Sequence, residues 1–299
     1  MKKVLIIGCG LLGSSLVRRI SKKKIAKKIF IYEKSKSNIA KIKKLKLPGT
    51  IVKSLKDSVV NSDLIIFCTP MSEYKKLIFK INNFISARTL ITDIGSSKTD
   101  SSKIIKKFLK KGIHWIRSHP IAGSEVSGPE HGKDSIFEDK WCVLIKDKKT
   151  NLKHLKFLNS FWKKMGSRIV IMNSEKHDKI FSITSHLPHL IAYNLVKSAQ
   201  DFEKILKFNL IKYSAGGLRD FSRIAASNEI MWRDIFFDNK VNITKAIDLF
   251  IKNLKSFKKD INKKNNKSIL KKLTQTKKVR SKIIKLKQDI NKPDFGRSN

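Results

Sequence analysis

Val4-Leu5-Ile6-Ile7 runs directly into Gly8-Cys9-Gly10-Leu11-Leu12-Gly13, and residues 14–20 follow with helical spacing. A short apolar strand, a glycine turn and a helix in that order commit the start of the chain to a βα unit, and in that context a G-x-G-x-x-G spacing becomes informative. Gly8 permits the tight turn, Gly10 lets the backbone approach a pyrophosphate, and Gly13 lets helix and strand pack closely. The pyrophosphate is expected on the helix N-terminus, with Leu11 and Leu12 within the turn.

A second apolar run, Ile29-Phe30-Ile31-Tyr32, ends at Glu33, 20 residues after Gly13. A carboxylate there binds both hydroxyls of an adenine ribose and repels a 2′-phosphate, which favours NAD over NADP. Lys34 and Lys36 pull the other way, since either can pair with a phosphate. Leu64-Ile65-Ile66-Phe67 reads as a third strand, with Thr69 and Pro70 after it forming a crevice floor near the cofactor. A fourth, residues 89–92, leads to Asp93-Ile94-Gly95-Ser96-Ser97-Lys98 and a helix carrying Ile104, Ile105, Phe108 and Leu109 on one face. Ser96 fits either a helix cap or a ligand contact, and Lys98 is able to steer an anion.

Residues 113–117 read as a strand that delivers Ser118-His119-Pro120-Ile121-Ala122-Gly123-Ser124-Glu125 and continues to His131. Its Gly, Pro and Ser content excludes a regular element, so residues 118–131 are read as a shaped loop. Histidine exchanges protons near neutral pH, so His119 is a candidate acid or base, against the alternative of a turn-capping role. Strands over 141–145 and 168–172 and a helix over 152–165 complete the sheet. The whole reads as an α/β doubly wound domain of seven or so strands, residues 1–173.

From Ser174 strand-like runs vanish and helical periodicity takes over, giving an all-α domain over residues 174–262. Ser185-His186-Leu187-Pro188-His189 sets two histidines three apart on a helix that the proline must bend. No carboxylate or third ligand lies near them in sequence, so they read as a polar patch facing a ligand and no metal is expected. Arg219, Arg223 and Arg233 stand out in a chain that otherwise uses lysine. A planar guanidinium grips a carboxylate bidentately, which suits a dianionic substrate; ion pairs with Asp220, Glu229 and Asp234 are the alternative. A helix over 242–257 carries an apolar stripe (Ile243, Ala246, Ile247, Phe250, Ile251, Leu254) suited to packing or dimerisation.

The formal net charge of +42 invites a nucleic-acid reading. The lysines are spread along the whole chain, however, with no nucleic-acid motif, so the charge reads as a solvated surface and no specific nucleic-acid partner is expected. Residues 263–299 carry 13 Lys or Arg against Asp289 and Asp294, and read as a fraying helix with a disordered end. Cys9, Cys68 and Cys142 form neither a disulfide framework nor a zinc pattern and suit buried thiols in a reducing cytosol. The apolar run before Cys9 is too short for a signal sequence, and no stretch is long and apolar enough to span a membrane, so a cytoplasmic protein is expected.

Taken together, the Gly8–Gly13 turn, Asp93-x-Gly-Ser-x-Lys98, His119-Pro-Ile-Ala-Gly-Ser-Glu125, Ser185-His-Leu-Pro-His189, Gly217-Leu-Arg-Asp-Phe-Ser-Arg223 and Trp232-Arg-Asp resemble the prephenate dehydrogenase family of tyrosine biosynthesis, from Met1 to about residue 260. The resemblance implies NAD-dependent oxidative decarboxylation of prephenate to 4-hydroxyphenylpyruvate; the family also contains enzymes that take arogenate or both substrates. It further implies that His119 takes the ring hydroxyl proton, that Ser96 orients it, and that Arg223 binds a substrate carboxylate. His189 would contact the substrate side chain, with His186 beside it. Glu125 and Asp220 would form an ionic gate with arginine, Trp232 would wall the site, and the helical domain would make a homodimer. Other Rossmann-plus-helices reductases leave the histidine loop and the arginine segment without a purpose.

Overall fold

The computed structural model describes residues 1–60 and 62–286. Strand and helix alternate through the first part of the chain: β1 (Lys3–Ile7), α1 (Leu11–Lys22), β2 (Lys28–Tyr32), α2 (Lys36–Lys44), β3 (Thr50–Ile51), α3 (Leu55–Val59), β4 (Leu64–Phe67), α4 (Tyr74–Ile81), β5 (Leu90–Asp93), α5 (Thr99–Phe108) and β6 (His114–Trp115). These six strands form one parallel sheet in the order β3-β2-β1-β4-β5-β6. Both faces of β1 and β4 are covered, so their sequences are continuous apolar runs with no alternation. The strand order reverses between these two, which opens a crevice at their carboxyl ends beside the glycine turn. α1 begins at Leu11 and not at Ser14, because Gly13, lacking a Cβ, lies against Gly8 within the first helical turn.

The later strands do not complete that sheet. β7 (Ser118–Pro120), β8 (Trp141–Ile145) and, after α6 (Leu152–Lys164), β9 (Arg168–Met172) form a separate three-stranded sheet, with β7 antiparallel to β8 and β8 parallel to β9. The run over residues 113–117 changes sheet midway. Ile116 N donates to Ile91 O at 2.9 Å in the first sheet, whereas Arg117 O accepts from Ile145 N at 3.0 Å in the second. The buried Arg117 side chain donates to Lys98 O at 2.7 Å and pairs with Asp147, so its polar partners lie away from the first sheet. Consequently His119 sits in a strand and not in a loop. The loop proper spans residues 121–128 and ends in a 3₁₀ turn, Pro129–His131, packed on α1.

The helical part comprises α7 (Ser174–Phe181), α8 (Leu187–Leu206), α9 (Gly216–Ala225), α10 (Glu229–Asp238), α11 (Lys240–Asn262) and α12 (Asn266–Lys285). Asn173 caps α7 by accepting from Lys176 N, and Asn228 caps α10 by accepting from Met231 N. Pro188 stands in the first turn of α8, where its missing N–H costs least, and the turn before it, Ser182–His186, is π-helical. α10 packs onto the sheet domain: Trp232 and Ile235 join the cluster around Leu5, Ile7 and Phe67, Ser72 N donates to Asp234 at 2.9 Å, and Ser97 Oγ donates to Asp238 at 3.2 Å. α12 is held to α11 by Lys272, which bonds Asp260 and Ser256 at 2.6 Å each. The basic segment is thus helical as far as Lys285, with no buried residue; Asp289, Asp294 and the end expected to be disordered lie outside the described residues.

Candidate active site

Backbone geometry builds the first part of the site. Gly8 adopts φ +89°, and a Cβ there would lie 2.8 Å from Cys68 O, so only glycine fits. At Gly13 a Cβ would lie 2.1 Å from Gly8 O. Gly10 differs: no atom lies within 4 Å of its hypothetical Cβ, and it caps α1 without any side-chain hydrogen bond. The N-terminus of α1, with Leu11 and Leu12 in its first turn, therefore faces open space suited to an anion. Glu33 sits at the end of β2 with Oε2 accepting from Cys9 N at 2.8 Å and Oε1 from Lys34 N at 2.8 Å and Ser35 N at 2.9 Å. Lys34 is drawn off to Glu73 at 2.5 Å. Thr69 follows β4 with its hydroxyl buried and unpartnered, and Pro70 beside it is exposed. A glycine cradle and an orphaned hydroxyl fit a dinucleotide at this crevice.

The second part is a buried cluster around His119, which is 7% exposed. Its Nδ1 lies 2.8 Å from His177 Nε2, and His177 Nδ1 lies 2.8 Å from Asp178 Oδ1. Lys98, fully buried, donates from Nζ to Asp93 at 2.6 Å and to Ser118 O at 2.7 Å. It is therefore a structural cation adjoining His119 and does not steer anions. Burial, the His177 ring, the Lys98 ammonium and His186 together hold the His119 imidazole well below its ordinary 6.5. His119 is thus neutral at neutral pH, as a proton acceptor must be. Ser96, half-buried in the β5–α5 connection, lies beside His186, whose Nδ1 is 3.1 Å from Asn239 Nδ2; burial pushes His186 down to about 4.

The third part is the mouth. Arg223 on α9 pairs with Glu125 at 3.2 Å, with both side chains partly exposed. His189 Nδ1 donates to Ser185 O at 3.0 Å, and its ring stacks on Trp232 with centroids 3.8 Å apart. Burial first, and nearby Arg223 as well, lower the His189 pKa. Asp220 is exposed one turn before Arg223 on α9. Arg233 instead pairs with neighbouring Asp234 at 2.7 Å. Among the described residues no group of three or more His, Cys, Asp or Glu is placed to hold a metal ion.

Sequence reasoning missed His177, Asp178 and Asn239, which surround His119 and His186 from a distance in sequence. One signal was present. His177 and Phe181 are spaced i, i+4 on α7, so the helix's inward face carries a histidine where an apolar residue is ordinary.

A parallel sheet with a glycine cradle, a neutral buried histidine and an arginine at the mouth defines a dehydrogenase with a nucleotide-binding domain and a helical domain. Residues 16–171 match the family described as prephenate dehydrogenase, nucleotide-binding domain, and residues 173–275 match prephenate dehydrogenase, dimerization domain. The chain belongs to the prephenate dehydrogenase family. It is 31% identical to the cyclohexadienyl dehydrogenase of Zymomonas mobilis, covering 97% of this chain and 98% of that protein. With the prephenate dehydrogenase of Bacillus subtilis it shares 30% identity over 84% of this chain and 68% of the relative. The crystal structure of Aquifex aeolicus prephenate dehydrogenase in complex with hydroxyphenyl propionate and NAD+ superposes with a TM-score of 0.88 at 33% identity, covering 95% and 98% of the two chains.

Proposed function

We propose that the chain catalyses NAD-dependent oxidative decarboxylation of prephenate to 4-hydroxyphenylpyruvate, with dual use of arogenate as the second reading. The observation that carries the proposal is the buried His119, hydrogen-bonded to His177 and held below its ordinary pKa by burial and neighbouring charge, in a chain that also carries the glycine turn and Arg223. The similarity to the Zymomonas cyclohexadienyl enzyme favours keeping the second reading. Bound NAD supplies the hydride acceptor. The glycine turn, Leu11 and Leu12, Thr69 and Pro70 hold it, and Glu33 selects it over NADP by meeting the ribose hydroxyls. His119 accepts the proton of the ring hydroxyl as the carbinol carbon gives up hydride, and loss of the ring carboxylate as carbon dioxide completes the aromatic ring. Ser96 orients the hydroxyl and His119. Arg223 binds a substrate carboxylate, exchanging its Glu125 partner for it, with Asp220 on the same helix completing the gate. His189 and His186 line the side-chain end, and Trp232 walls it through its stack on His189.

The same reading divides the chain into a nucleotide domain, residues 1–173, a helical domain, residues 174–262, and a basic segment beyond, and makes the active unit a cytoplasmic homodimer. Exposed Phe202, Ile205 and Leu206 on α8 and Leu254 on α11 supply an apolar face for the second copy. Among the described residues no helix is long and apolar enough to cross a membrane.

NADH formation by the purified protein, followed by absorbance with prephenate and then with arogenate, tests the assignment. Turnover with prephenate and NAD is expected. Turnover with arogenate alone would transfer the assignment to that substrate, and none with either would refute it.

A further inference from the structure

The hydrogen bonds around Asp178 fix proton positions two residues away. Its carboxylate accepts from Lys98 N at 2.9 Å and Thr99 N at 2.8 Å, and burial is outweighed by these bonds and by His177, so Asp178 stays ionised. An ionised carboxylate only accepts, so the proton between it and His177 resides on His177 Nδ1. Neutral His177 then presents a lone pair at Nε2, 2.8 Å from His119 Nδ1. That bond exists only if His119 Nδ1 carries a proton. The remaining nitrogen of His119, Nε2, is therefore the one with a free lone pair.

The parts come from both halves of the molecule. His119 lies on β7 and Lys98 precedes α5, whereas His177 and Asp178 belong to α7, and Asn239, between α10 and α11, donates to Asp178 O at 2.8 Å. The groups facing His119 are His177 and Phe181 from α7, Lys98 from the β5–α5 connection and His186 from the π-helical turn.

We infer that His177 and Asp178 are positioning residues that set the His119 tautomer, so that the base on the nucleotide domain becomes competent only through the helical domain docked against it. The inference rests on the reading of His119 as the base. In the reaction the substrate O–H bond breaks and an Nε2–H bond forms on His119. The imidazolium keeps its Nδ1–H bond to His177, and the Asp178 charge stabilises it through that ring. Asp178 itself takes no proton, and His119 later returns its proton to solvent.

The test compares His177→Leu, His177→Gln and His119→Asn in the full chain, with kcat, KM for prephenate and NAD binding measured for each. His177→Leu should lower kcat by about 10²-fold, within the range of a general base, with KM and NAD binding near those of the unsubstituted protein. His177→Gln, whose amide oxygen again accepts from His119 Nδ1, should recover most of that loss. A folded His177→Leu protein with kcat within about twofold of the unsubstituted enzyme overturns the inference. If His119→Asn is equally active, the base reading falls with it; if His119→Asn alone is impaired, only the relay falls. Should His177→Leu fail to fold, ¹⁵N NMR of the unsubstituted protein decides: a protonated Nδ1 and bare Nε2 on His119 supports the relay, and the reverse tautomer overturns it.

Discussion

The glycine turn after β1 and the histidine cluster between β7 and α7 are made in opposite ways. The turn is local: Gly8 and Gly13 act through what they lack, each constraint being set by backbone a few residues away or by the neighbouring strand, while Gly10 leaves open space beside them. The cluster is assembled, because His119 and His177 are 58 positions apart and meet only when α7 packs onto the second sheet. A local site tolerates little variation in residue type and depends weakly on the remainder of the chain. An assembled site depends on docking, and its chemistry is set by burial and neighbouring charge.

Four substitutions probe that contrast. The largest effect is expected for His119→Asn, which should lower kcat by about 10²–10⁴-fold while leaving NAD binding intact, as loss of a general base does; steady-state kinetics beside an NAD titration checks it. Next comes Gly13→Ala, whose Cβ would meet Gly8 O at 2.1 Å. It should cost about 1–3 kcal/mol in denaturant unfolding and abolish NAD binding, because helix and strand must separate. Arg223→Ala should raise KM for prephenate about 10- to 100-fold with kcat little changed, the scale of hydrogen bonds to a charged group. A normal KM would remove Arg223 from substrate binding. Gly10→Ala is expected to leave the thermal midpoint unchanged, since nothing lies within 4 Å of the new Cβ, yet to weaken NAD in a binding titration. If Gly10→Ala binds NAD normally, the pyrophosphate does not approach there.

Legibility in the sequence follows the same division. The nucleotide turn and Glu33 were readable because close backbone approach dictates residue type at fixed spacing. Single titratable or planar residues such as His119 and Arg223 were readable from their unusual surroundings. Partnerships were not. Nothing near Lys98 in sequence shows that it is buried between Asp93 and Ser118, and a run such as residues 113–117 does not reveal that it changes sheets at Arg117. β3, only Thr50–Ile51, is too short to carry a pattern. The histidine at 177 was visible only as a polar residue on the apolar face of an amphipathic helix.

The state of His119 is where the two halves of the molecule meet the chemistry, and the pH dependence of kcat/KM for prephenate reads it in the free enzyme. Because burial, His177, Lys98 and His186 lower its pKa, His119 remains a neutral base as pH falls past 6.5 and is protonated only well below it. The expected profile holds its plateau through 6.5 and loses activity on an acid limb below that value, a limb that His119→Asn removes. An acid limb at or above 6.5, or one that survives His119→Asn, would contradict the assignment of His119 as the buried base.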